Sequence, residues 1–324
     1  MRRQLVVIIL SGLICLLGAT SILAAKYNEA PMLRVKVAAG ELPPVEKRLP
    51  EDPLVVKPVE EIGQYGGTLR VITTSPRWDD ITHLRAEPIF LLSMDAKTTQ
   101  LNIAKSYEFS KDGKILTLHL RKGIKWSDGA PFTVEDVLFA LQDVALNKDL
   151  VPTAWGQWRP GGELMKVKKL DDYTVRLSFA VSYPIILDLL SSECPGSQVP
   201  WLGGSFYLPK HYLKKFHIKY NPEVNELAKK EGYESWQSLF KSKLGFYTDP
   251  DCPCLSAWKP IKKTTTERIY ERNPYYWKVD PEGNQLPYID KLSVAVVQSL
   301  EVVNLKTISG EADFAGFFLT LDNY

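Results

Sequence analysis

Between Ser106 and Val144 the chain reads SYEFSKDGKILTLHLRKGIKWSDGAPFTVEDVLFALQDV, and the spacing of its apolar residues changes part-way along. Phe109, Ile115, Thr117 and His119 fall on one face of a hairpin and Leu116, Leu118 and Leu120 on the other, with Asp112 and Gly113 at the turn. A second turn at Asp128 and Gly129 leads to Thr133, which with Asp136 has the spacing of a capping box. Val134, Val137, Leu138, Leu141 and Val144 then recur at helical spacing, which predicts a helix from Val134 to about Leu146. Strand period and helix period in one uninterrupted stretch rule out an all-α or all-β chain.

The rest of the sequence repeats this mixture. Gly66 and Gly67 precede a short strand, Leu69 to Thr73, that ends at Pro76, and a helix is expected around Ala86 to Met94. Val175, Leu177 and Phe179 alternate along one strand, and Leu292, Val294 and Val296 along another. Short helical patches are expected near Ile185 to Leu190, Pro209 to Phe216 and Trp236 to Phe240. Interspersed strands and helices define a mixed α/β class. Residues 26–60 carry six prolines among mixed charges and read as an extended arm, with compact structure beginning near Ile62.

The N-terminus, MRRQLVVIILSGLICLLGATSILAA, has a basic start, an apolar run from Leu5 to Leu17 and small residues up to Ala25. Residues 1–25 therefore read as an export signal, cleaved near Ala25, and the competing reading is a retained membrane anchor. Arg2 and Arg3 account for the whole excess of 40 basic over 38 acidic side chains, so no basic field for nucleic acid exists. Export would place Cys194, Cys252 and Cys254 where disulfides form, and one pair including Cys194 plus one free thiol is expected. None of the four histidines lies near these cysteines in sequence, so no metal and no cofactor is expected.

The stretch LHLRKGIKWSDGAPFTVEDV, Leu118 to Val137, closely resembles the most recognisable block of the family 5 extracellular solute-binding proteins of ABC transporters, which include oligopeptide, dipeptide and nickel binders. ERNPYYWKVDPEGNQLPYIDKL, Glu271 to Leu292, is similar to the later family motif, and SGEADF, Ser309 to Phe314, looks like its G-E-x-D element. The resemblance implies the type II, cluster C periplasmic-binding-protein-like fold, in which two lobes close on a ligand about a hinge. Family members run well beyond this length, so the chain is expected to supply lobe I without lobe II. Residues 61–80 and 165–324 would form the main subdomain and 81–164 an inserted one. A sheet edge or apolar seam is expected around Leu292 to Val297 and Phe314 to Leu321.

The implied function is capture of a peptide or oligosaccharide and its delivery to ABC permease subunits in the membrane, by a monomer located in the periplasm or at the cell surface. Candidate ligand-facing residues lie on loops at the cleft edge. Ser75, Arg77, Trp78 and Asp79 follow the first strand, and an exposed Trp beside Arg and Asp suits stacking on a sugar or capture of peptide termini. Trp155 and Trp158 sit among glycines, as does Trp201 before Gly203 and Gly204. For each of these aromatics plain packing competes with ligand contact. The blocks themselves read as scaffold: Trp126 under the hairpin, Asn273, Pro274, Gly283 and Asn284 in turns, and Tyr275, Tyr276 and Trp277 in or over the core. No G-x-S-x-G, H-E-x-x-H or P-loop motif is present, and Asp171 and Asp172 read as the turn before the Tyr173 strand. The chain therefore reads as no enzyme. An exported carboxylate-based hydrolase and an exported adhesion or scaffold protein are the alternatives.

Overall fold

The computed structural model describes residues 27–75, 83–199, 201–245 and 249–315. In chain order the elements are α1 (Pro31–Ala38), α2 (Val45–Arg48), β1 (Leu54–Val55), β2 (Gly66–Thr73), β3 (Phe90–Leu92), β4 (Thr99–Leu101), β5 (Ala104–Phe109), β6 (Ile115–Leu120) and α3 (Val134–Leu138). They continue with β7 (Lys166–Asp171), β8 (Thr174–Ser178), α4 (Ile186–Leu189), α5 (Lys210–Leu213), α6 (Val224–Lys230), α7 (Trp236–Lys243), β9 (Trp258–Lys263), β10 (Glu267–Arg272), β11 (Lys278–Val279), β12 (Ile289–Val296) and α8 (Leu300–Ile308).

Two four-stranded sheets dominate. One has the order β2-β12-β10-β9, with β2 parallel to β12 and the other pairs antiparallel. Val71, Tyr270, Leu292 and Val294 close its inner face. The other, β5-β6-β8-β7, is antiparallel throughout. Its hairpin turns at Asp112 and Gly113 as expected, and Gly113 has φ +67°, which a glycine adopts without the strain of a Cβ. Leu116, Leu118, Val175 and Leu177 are wholly buried on one face, while Ile115, Thr117 and His119 opposite are half-covered. Along β6 the alternation read from the sequence is thus the alternation of burial, but Phe109, expected on the Ile115 face, pairs with Leu116 and lies on the core side instead.

The capping box forms: Thr133 Oγ1 accepts from Glu135 N (3.3 Å) and Thr133 N donates to Asp136 Oδ2 (3.0 Å). α3 runs on into wider π-type turns over Phe139–Ala145, and the whole segment is buried on two sides. Val134, Val137, Leu141 and Ala145 join the sheet core around Trp126, and Phe139, Ala140 and Val144 join a second core with Leu213, Val224, Trp236, Leu239 and Phe240. A helix shared by two cores fixes α5, α6 and α7 to the antiparallel sheet.

Several expectations are corrected. The segment before residue 60 is packed, not an extended arm. Pro31 starts α1 and Pro44 precedes α2, positions where a missing N–H costs nothing. Ala30, Leu33, Val45 and Leu49 are buried, and the fully buried Arg48 donates to Gln285 Oε1 (2.9 Å) and Pro274 O and pairs with Glu29. The sequence pattern missed this because Pro274 and Gln285 lie more than 200 residues away. The helix expected at Ala86 to Met94 is strand β3, paired with β4 through a turn in which Ser93 Oγ accepts from Thr98 N (3.0 Å). A short apolar run does not distinguish the two states, and Pro88 disfavours the helix.

The subdomain boundary at residue 165 does not hold either, because β8 pairs with β6 and β7 with β8, which extends the inserted sheet through Ser178. Residues Leu292 to Val297 are no edge: β12 is flanked by β2 and β10, and Val71 on β2 bridges to Phe314, whose side chain is half-exposed. Leu321 lies outside the described residues. Cys194, Cys252 and Cys254 are all free thiols, so the expected disulfide is not formed.

Candidate functional site

β2 delivers Ser75 to the carboxyl end of the parallel strand pair, the end of such sheets where ligands bind. Ser75 N donates to Thr73 Oγ1 (3.0 Å) and its carbonyl accepts from Arg268 Nη2 (3.3 Å). Arg77, Trp78 and Asp79 lie outside the described residues.

The other candidates come together, although more than 40 residues separate Trp201 from Trp155 and Trp158 in sequence. Trp158 is fully buried and its Nε1 donates to Gly203 O (2.7 Å). A Cβ on Gly204 would stand 3.2 Å from the Trp155 ring and 3.2 Å from Cys194 Sγ, so glycine is what lets the ring close over this loop. Gly203 has φ +79°, and Gly204 N donates to Trp201 O (3.0 Å). Trp155 and Trp201 keep part of their surface exposed. Trp158 does not, and its role as a ligand-facing ring is corrected to that of a core residue holding two loops together.

Two concavities were not legible in the sequence. One, of about 300 Å³, lies beside Trp155 and is lined by Leu146, Lys148, Val151, Pro152, Thr153, Ala154, Arg159 and Leu164. The other, of about 390 Å³, is an aromatic groove between Leu84, Trp258, Tyr276, Tyr288 and the Leu286–Ile289 segment. The polar ends of its rings are engaged: Trp258 Nε1 with Ile289 O (2.9 Å), Tyr276 Oη with Glu87 Oε1 (2.6 Å), Tyr288 Oη with Asp280 Oδ2 (2.7 Å). The groove therefore offers ring faces and no free polar group from these three side chains.

The Trp126 to Asp136 block is scaffold. Asp136 accepts from Trp126 Nε1 (3.3 Å), Thr133 N (3.0 Å) and Lys210 N (3.0 Å), and burial pushes its carboxyl up to about 6. Asp128 caps its own turn through Ala130 N (3.1 Å) and meets His211 Nε2 at 2.8 Å. Asp171 accepts from Tyr173 N (2.8 Å) in the β7-β8 turn, as expected. Among the described residues no group of three or more His, Cys, Asp or Glu is placed to hold a metal ion.

An α/β body that holds aromatic loops rigidly at its surface has the character of a binding protein, and comparison with known proteins is more specific. The family model for the middle region of bacterial extracellular solute-binding proteins, family 5, matches residues 98–323, and the chain belongs to this family. It is 33% identical over 293 residues to the periplasmic alpha-galactoside-binding protein of Rhizobium meliloti (strain 1021), covering 82% of this chain and 39% of that protein. Among solved structures it is similar to an oligopeptide-binding protein OppA (TM-score 0.80, 44% identity, 89% of this chain and 44% of that one). It is also similar to the periplasmic binding protein MelB from Agrobacterium fabrum C58 in complex with stachyose (TM-score 0.71, 29% identity, 89% and 43%). The chain thus spans less than half the length of these relatives. The family is one of solute-binding proteins and not of enzymes.

Proposed function

We propose that the protein is the extracytoplasmic solute-binding component of an ABC importer, which captures a peptide or oligosaccharide and hands it to permease subunits in the membrane as a monomer. The observation that carries this reading is the family match over residues 98–323, supported by relatives whose names specify an alpha-galactoside and an oligopeptide and by a neighbour holding stachyose. The N-terminal export signal supports a periplasmic or cell-surface location. Ser75, Arg77, Trp78 and Asp79 are the ligand-facing residues of this reading, with Trp155 and Trp201 on the second set of loops. The Trp78 ring stacks on the solute, and Arg77 and Asp79 hold its polar groups.

A thermal-shift screen tests the proposal, because a solute bound only by the folded state raises the melting temperature. Raffinose and stachyose form one arm, and a set of tri- to pentapeptides the other. A saturable shift in one arm, lost in Trp78→Ala, is the expected result. No shift in either arm sinks the solute-binding reading, and turnover of any of these compounds supports the hydrolase instead.

A further inference from the structure

The cavity beside Trp155 has a chemistry the importer reading does not use. Its walls are apolar at Leu146, Val151 and Leu164, Thr153 also lines it, and the two charged side chains that line it, Lys148 and Arg159, are both cations. No acidic side chain among the described residues lines it. Some lysines in this part of the fold are matched with carboxylates: Lys169 and Lys210 share Glu135, and Lys219 meets Asp143. Among the described residues neither Lys148 nor Arg159 has such a partner; the Arg159 guanidinium makes one hydrogen bond, from Nη2 to Gly162 O (3.0 Å).

Both cations stand on loops held in place. Asn147 O accepts from Val151 N (2.8 Å) and Asn147 Oδ1 from Asp149 N (2.9 Å), which pins the turn carrying Lys148. On the other side Arg159 N donates to Gly156 O and Gly162 N to Arg159 O, each 2.9 Å, and the buried Trp158 anchors the segment to Gly203. A preorganised guanidinium with free N–H groups matches a carboxylate in two parallel hydrogen bonds, and the apolar wall takes the body that carries it.

We propose that this cavity is a second binding site, separate from the loop that follows β2, for a carboxylate carried on a small branched apolar body. Two sources share that chemistry: a free branched-chain carboxylic acid, and the C-terminus of a short peptide ending in leucine. The volume of about 300 Å³ suits a body of that size.

Calorimetry on the full-length natural protein tests this with four probes: 4-methylvalerate, its amide, the dipeptide Ala-Leu and Ala-Leu amide. Saturable binding of the acid or the dipeptide is expected, weakened at least tenfold in the matching amide and at least tenfold by Arg159→Leu. Because Arg159 is exposed the variant should keep its melting temperature, and Lys148→Met gives a second reading if it does not. Binding of Ala-Leu but not the acid assigns the site to peptide C-termini, and the reverse assigns it to free acids. No saturable binding of either, equal binding of acid and amide, or unchanged binding of the dipeptide in both variants overturns the proposal. The raffinose, stachyose and longer-peptide shifts depend on other residues, so loss of this site leaves the importer reading standing.

Discussion

The indole N–H of Trp158 reaches the carbonyl of Gly203 at 2.7 Å inside the core, and that bond ties the 155–162 turn to the 201–204 turn. Trp158→Phe keeps most of the packing and leaves the Gly203 carbonyl without its donor, a cost of about 1–3 kcal/mol. The melting temperature is expected to fall while solute affinity stays unchanged. A variant of normal stability that binds less solute would return Trp158 to the binding surface.

Asp136 gives stability a characteristic pH dependence. Its carboxyl titrates near 6 in the fold against about 3.8 in the unfolded chain, so the native state holds the proton more tightly. The contribution of this group is fully present below pH 3.8 and is lost as pH rises to about 6, on the order of 2–3 kcal/mol in all. Denaturant midpoints measured from pH 4 to 7 should show this fall, and Asp136→Asn, although less stable overall, should flatten it. A wild-type curve with no decline across that window refutes the assignment.

Asp128 and Thr133 are expected to matter for folding and not for recognition. Burial alone would raise the Asp128 carboxyl, but its hydrogen bonds to His211 and Ala130 N hold it below the ordinary range. This contribution is therefore present above the ordinary Asp value and lost as pH falls below it. Asp128→Ala and Thr133→Ala should each cost about 0.5–2 kcal/mol in chemical unfolding. Equal solute affinity in both variants supports the scaffold role, and loss of affinity at unchanged stability contradicts it.

Arg48 docks the first helices on the segment that contains Pro274 and Gln285. Removing a buried, paired charge by Arg48→Met leaves Glu29 unmatched and should cost about 3–5 kcal/mol. Limited trypsin digestion, followed by mass spectrometry, should then cut at Arg34, Lys36 or Lys47 well before the rest of the chain. Wild-type resistance at those sites in the variant would show that α1 and α2 are held by other means.

Alkylation separates the three thiols by burial. Burial pushes Cys254 up to about 11 and Cys252 well above the usual thiol range, so both should resist iodoacetamide at pH 8 until the protein unfolds. Cys194, half-buried and likewise pushed to about 11, should react slowly. Fast labelling of Cys252 in the native protein would show that its enclosure opens.

Local chemistry was legible in the sequence. The hairpin with Asp112 and Gly113 at its turn, the Thr133 and Asp136 cap, and the β8 and β12 alternations were all readable, because period and turn residues act over a few neighbours. The family blocks were legible for the same reason, as contiguous runs. Long-range pairing decided the rest. Arg48 meets Pro274, β8 joins β6, Trp158 finds Gly203, and Lys148 and Arg159 share one cavity only because separate segments converge. A proline-rich stretch looks extended until a buried arginine has partners, and a tryptophan among glycines looks exposed until another loop closes over it. Burial is a property of the folded neighbours of a residue, and only the tertiary structure supplies them.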